Sequence, residues 1–88
     1  MYLHIGKDSV IKTGDIIGIF DLENTSVSKH TRFYLSKKEK EKKVVNVSFE
    51  IPKTFIVTEN KGDVKVYISQ ISPTTLIKRK NFIENIKE

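Results

Sequence analysis

Two histidines, two aspartates and a lysine-rich stretch are the side chains from which chemistry could be assembled in this chain, and their spacing argues against catalysis. His4 lies in an alternating segment and His30 in a polar one, with no serine elbow, no pair of histidines at ligand spacing and no acidic cluster beside either. Both read as structural or surface residues. Asp15 and Asp21 flank an apolar run and would have to converge to share a carboxylate site, but aspartates at strand ends are ordinary turn residues. The four glycines are scattered and form no phosphate-cradling loop. Cysteine is absent, which removes thiolate metal sites and disulfides and fits a reducing cytoplasm. The expectation is therefore a protein that is not an enzyme. It would have no catalytic, metal-binding or cofactor-binding residues and no small-molecule substrate.

The lysines point to a different kind of partner. The formal net charge of +5 is unevenly spread. Through Glu23, two lysines stand against four acids, whereas from Asn24 to Phe49 seven cations face only Glu39 and Glu41. One side of the molecule should be basic and suited to an anionic polymer. The candidate DNA-facing residues are Arg32, Lys37, Lys38, Lys40 and Lys53. Paired reading helices, zinc fingers and aromatic stacking signatures are all missing, so any DNA contact would be to phosphates and shape, with steep salt dependence. A solvated helix end is the plainer reading of the same lysines, since cations near a helix C-terminus are favoured by its dipole and can pair with Glu39 and Glu41.

The elements that must position these residues begin with Val64 to Lys80. Val64, Val66 and Ile68 alternate with Lys65, Tyr67 and Ser69, the period of a strand with one buried face. Ile71 breaks the parity, so a bulge or strand end falls near Ser69 and Gln70. Ser72 then caps a helix with Pro73 in its first position. On that helix Leu76, Phe82, Ile83 and Ile86 share one side, Arg79 falls within the same arc, and Ile77 projects away. Ile77, Arg79 and Phe82 are the candidate oligomer interface. A chain of 88 residues has room for one domain, 1–88, with a modest core, which makes self-association plausible.

Upstream, Tyr2 to Ile5 reads as a strand turned by Gly6 to Ser9 into a partner at Val10 and Ile11. Ile16 to Phe20 is continuous rather than alternating, which predicts burial on both faces or a central strand; it is the best candidate for the middle of the core, with Gly18 marking a close approach. Thr25, Ser26 or Ser28 could open a helix running to about Lys42, with Val27, Tyr34 and Leu35 on one side. Val44 to Phe49 alternates, placing Val45, Val47 and Phe49 together. Lys53 to Gln70 reads as a hairpin turned by Glu59 to Asp63. The order of strands, helix, strands and helix predicts an α+β domain, β-rich, with an antiparallel sheet. No apolar run is long enough for a transmembrane helix or a secretory signal.

Leu3-His4-Ile5-Gly6, the run from Asp15 to Asp21, Pro52 to Thr58, Tyr67-Ile68-Ser69 and Ser72-Pro73-Thr74-Thr75-Leu76 with Arg79 together resemble the extracellular matrix regulator family, nearer its RemB branch than its RemA branch. The resemblance runs from Met1 to about Phe82. It implies a cytoplasmic bacterial protein, with a fold related to the LytTR DNA-binding domain, that assembles into a ring around which DNA can wrap. It also implies a role in transcription of biofilm matrix genes. RemA-like members carry a DNA-contacting arginine pair just before the strand equivalent to Thr54 to Thr58. Glu50 and Ile51 occupy that place here, with Lys53 the nearby basic residue. The competing expectation is a protein-interaction subunit of the same fold that does not bind DNA directly.

Overall fold

The computed structural model describes residues 1–22 and 29–86, with only the backbone of Ile86. Strands β1 (Tyr2–Gly6) and β2 (Ser9–Lys12) form an antiparallel hairpin, and a single 3-10 turn, Thr13–Asp15, leads into β3 (Ile16–Asp21). Helix α1 (Lys29–Lys40) precedes β4 (Val44–Asn46), β5 (Thr54–Asn60) and β6 (Asp63–Ser69), and α2 (Pro73–Ile86) ends the described chain. This is the α+β architecture expected. The expected helix openers Thr25, Ser26 and Ser28, and the apolar Val27, lie outside the described residues.

The main sheet has the order β3-β5-β6-β4, and it corrects two expectations. The sheet is mixed: β4 runs parallel to β6, pairing Val44 with Val66 and Asn46 with Ile68. A parallel pair needs a long connection, and here the loop after β4 together with the β5 strand provides it. The apolar run Ile16 to Phe20, expected at the centre, is instead an edge strand, and the centre belongs to β5 and β6. Burial on both faces does not hold either, since Ile17 is 60% and Phe20 39% exposed, and a register shift between Ile16 and Gly18 changes the run's parity. That shift lets Ile16 and Ile19, three apart, pack on the same core.

On one face Ile19, Ile56 and Tyr67 meet Leu3, Ile5 and Ile11 of the hairpin and Leu76 and Ile83 of α2. On the other, Phe55, Val57 and Val66 meet Tyr34 and Leu35 of α1. Thus β6, expected to bury one face, contributes to both cores. From Thr54 to Thr58 every residue of β5 is buried. At about 1.5–3 kcal/mol for each large apolar side chain removed from water, this strand is the main source of stability. Gly18 makes room for an aromatic ring. The ring of Phe20 lies over it and stacks on Phe55 with centroids 4.9 Å apart, so the close approach expected there comes from a side chain rather than from backbone.

The strand stop expected near Ser69 is a clean end, without a bulge, since pairing stays in register through Thr54 and Ser69. The Ser69 hydroxyl donates to the Ile5 carbonyl at 2.6 Å and accepts the Ile71 amide at 3.0 Å. Thr54 donates to the Ile71 carbonyl at 2.6 Å. These bonds turn the chain toward α2, where the Ser72 hydroxyl accepts the Thr75 amide at 3.2 Å, as a helix cap should. Beside this corner Gly6 has φ +141, and a Cβ there would come within 2.8 Å of Gln70 Oε1 and 2.9 Å of Val47 Cγ1. Only glycine fits.

The β5–β6 hairpin turns through Lys61 and Gly62, with φ of 53 and 83. Positive φ at both central positions defines a type I′ turn, which favours Asn-Gly over Lys-Gly. Lys61→Asn is expected to stabilise the fold by about 0.5–1 kcal/mol, seen as a rise of roughly 2–8 °C in Tm by circular dichroism.

Candidate nucleic-acid interface

Helix α1 ends where its sequence makes it most basic. Lys42 adopts a left-handed conformation, φ 61, while its amide donates to Glu39 and the Lys43 amide donates to Lys38. This pair of bonds is a Schellman motif with lysine in the position usually held by glycine. Lys37, Lys38 and Lys40 occupy the last turn, where the partial negative charge of the helix C-terminus favours cations. The Lys43 carbonyl then accepts the Val66 amide, which sets β4 in place and brings the end of α1 against the β5–β6 turn.

The result is a basic pole. Lys43 reaches Asp63 at 2.6 Å, and Lys65 approaches the same carboxylate at 4.0 Å. The hydrogen bond from Lys43 holds the Asp63 carboxyl below its ordinary range; a small desolvation effect opposes it, and the charges of Lys43, Lys65 and Lys38 reinforce it. Because that carboxyl titrates lower in the folded chain, its contribution to stability is present above the ordinary carboxylate range and is lost as pH falls through it. Lys38 is half-buried, pairs with Glu41 at 3.3 Å and stands 5.8 Å from the Tyr34 ring centroid. Among the described residues Lys37, Lys40, Lys42 and Lys61 have no ion pair and are exposed.

The expected DNA-facing residues do not all share this pole. Arg32 lies further back on α1, beside Leu35, Glu39, Asn46 and Ile68. Lys53 sits at the start of β5, its amide bonded to Ser69 and its carbonyl to Leu22. The turn at Lys61 is at the other end of that strand, about 20 Å away for seven extended residues. Lys53 and the end of α1 are therefore separate surfaces. Asp15 and Asp21 do not converge either, since they bracket the length of β3, and Asp15 accepts two contacts from Asn60, at 3.2 and 3.3 Å. His4 is exposed on β1, with its ring Nε2 against the Lys7 carbonyl, and His30 is exposed at the edge of an apolar groove between β3 and α1.

Of the expected interface residues, Arg79 is exposed on α2 and donates to the His4 carbonyl at 3.2 Å. Phe82, expected on the buried side of α2, is 65% exposed, and Leu76 and Ile83 are the described side chains of that stripe that join the core. Ile77 is half-exposed on another side. Val45, on the edge strand β4, is 40% exposed, and Phe49 leaves the core because β4 stops at Asn46 and Val47 turns inward, its amide held by the Ile68 carbonyl. The loop that follows projects Phe49 and Ile51, at 103% and 80% exposure. Sequence reasoning missed this loop as a surface feature because the alternating pattern of Val44 to Phe49 continues past the end of pairing.

Across this framework the sequence model of RemA-like proteins, described as "Extracellular matrix regulatory protein A-like", matches residues 2–79. The chain belongs to the RemA-like family. It is also 40% identical to Extracellular matrix regulatory protein B of Bacillus subtilis (strain 168) over 86 residues, covering 98% of each chain. The match of this RemA-like chain thus spans both cores, the basic pole and the projecting loop. No described helix is long and apolar enough to cross a membrane.

Proposed function

We propose that this chain is a non-enzymatic, oligomeric, DNA-binding regulator of transcription that acts in the cytoplasm on extracellular matrix genes of the kind that build biofilms. The observation that carries the reading is the nearly full-length similarity to a protein named as an extracellular matrix regulator. The basic pole formed by Lys37, Lys40, Lys42 and Lys61 supports the DNA part, because these side chains are exposed and free of ion pairs among the described residues. Lysine is a flexible point charge, suited to phosphate and poorly suited to two-pronged base recognition. The contact would therefore follow the backbone and shape of duplex DNA.

A second reading is a protein-interaction subunit of the same fold. It is favoured by the loop before β5, where Phe49, Glu50 and Ile51 present an apolar and acidic tip at the place that carries an arginine pair in RemA-like members. A DNA mobility-shift titration at several salt concentrations separates the two. Binding of mixed-sequence duplex at low salt, weakening steeply as salt rises, is the expected result. No shift at low salt would favour the interaction subunit.

A further inference from the structure

Two apolar surfaces stand exposed at different places on the chain. The first is the loop tip, where the Glu50 amide is bonded to the Ser48 hydroxyl at 3.0 Å and Pro52 stiffens the exit, so that Phe49 and Ile51 flank an exposed carboxylate. The second is a groove of about 430 Å³ between β1 and α2, lined by Tyr2, Leu3, His4, Arg79, Phe82 and Ile83, with Lys78 at its rim.

The two surfaces are complementary. The tip offers two apolar side chains and one negative charge, and the groove offers aromatic and aliphatic walls with two cations. Among the described residues one of the five donor hydrogens of Arg79 is engaged, with the His4 carbonyl, so the guanidinium can still take a carboxylate in a two-pronged bond. The apolar groove between β3 and α1 has no lysine or arginine in its lining and cannot match Glu50 in this way, and the groove between α1 and β4 sets Glu39 beside its Arg32, an acid that would repel Glu50.

We infer that the Phe49–Ile51 loop of one copy docks in the β1/α2 groove of a second copy, with Glu50 paired to the partner's Arg79. Tip and groove are different surfaces, so the contact is heterologous and each copy has one of each to offer. The inference rests on the oligomeric part of the proposed function and adds the residues that make the contact.

Light scattering at micromolar concentration, without DNA, tests it with four variants. Glu50→Arg and Arg79→Glu are each expected to lower the average mass toward 10.2 kDa, and the double exchange to restore it. Phe49→Ala removes no packing from the single chain, so it should weaken association by about 30-fold or more while leaving the circular dichroism spectrum and Tm of the dissociated chain unchanged. A parent that is already monomeric overturns the oligomeric reading and this contact together. An oligomeric parent whose mass is unaffected by Glu50→Arg and Phe49→Ala overturns the contact alone. So does a double exchange as dissociated as the single variants.

Discussion

Replacing Leu76 with alanine is expected to cost about 2–5 kcal/mol and to lower Tm by roughly 10–30 °C. Leu76 is completely buried, among side chains from the β1–β2 hairpin and the main sheet, and it is the fully buried residue with which α2, together with the partly buried Ile83, joins that core. A domain of 88 residues has a total stability of roughly 4–13 kcal/mol, so the loss removes a large share of it. The surrounding groups cannot readily fill the void. Leu3, Ile5 and Ile56 are themselves fully enclosed, and the Ser69 and Thr54 bonds fix the corner that leads into the helix. Asn81→Ala, on the exposed side of the same helix, provides the control and should change stability by no more than about 0.5 kcal/mol. Chemical denaturation at one protein concentration measures both. A Leu76→Ala chain as stable as the parent would show that α2 does not carry the core.

The features readable from the sequence were those in which local chemistry and tertiary packing agree. The β5–β6 hairpin follows from alternation ending in a glycine turn, and the start of α2 follows from Ser72 and Pro73. Elsewhere the pattern was equally clear and the packing different. In the run from Ile16 to Phe20, Ile16 and Ile19 meet the hairpin-side core, Phe20 folds over Gly18 onto Phe55, and Ile17 stays exposed. Those placements do not require a central strand. Phe82 lies in the helical arc of Leu76 and Ile83, but the hairpin covers too little of α2 to reach it. The parallel pairing of β4 had no local signal at all, since it depends on where α1 delivers the chain.

The candidate site shows the same division. Charge counting located the lysines of α1, and helix ends are where such lysines are tolerated. Which of them are available depends on geometry. Lys38 is occupied by Glu41 and Tyr34, Lys43 by Asp63, and Lys53 belongs to the opposite end of the sheet. Phe49 and Ile51 became a surface feature only because strand pairing stops at Asn46.

Reversing charge at Lys37 and Lys40 together is expected to produce the largest functional change. Both are exposed, neither has an ion pair among the described residues, and both lie in the last turn of α1 beside the β5–β6 turn. Each phosphate contact removed should lower the slope of log affinity against log salt by about 0.9 on duplex DNA, so losing two should lower it by about 1.8. The absolute loss should be greater in an oligomer, where each copy repeats the change and linked contacts multiply. Circular dichroism should report an intact fold, because no buried group is touched. Lys53→Ala supplies the comparison from the far end of the sheet. If the slope falls only for Lys53→Ala, DNA runs along the loop end of the sheet and the α1 lysines are solvated. If it falls for Lys37→Glu with Lys40→Glu and not for Lys53→Ala, the basic pole is the contact surface, at the opposite end of β5 from the loop at Phe49.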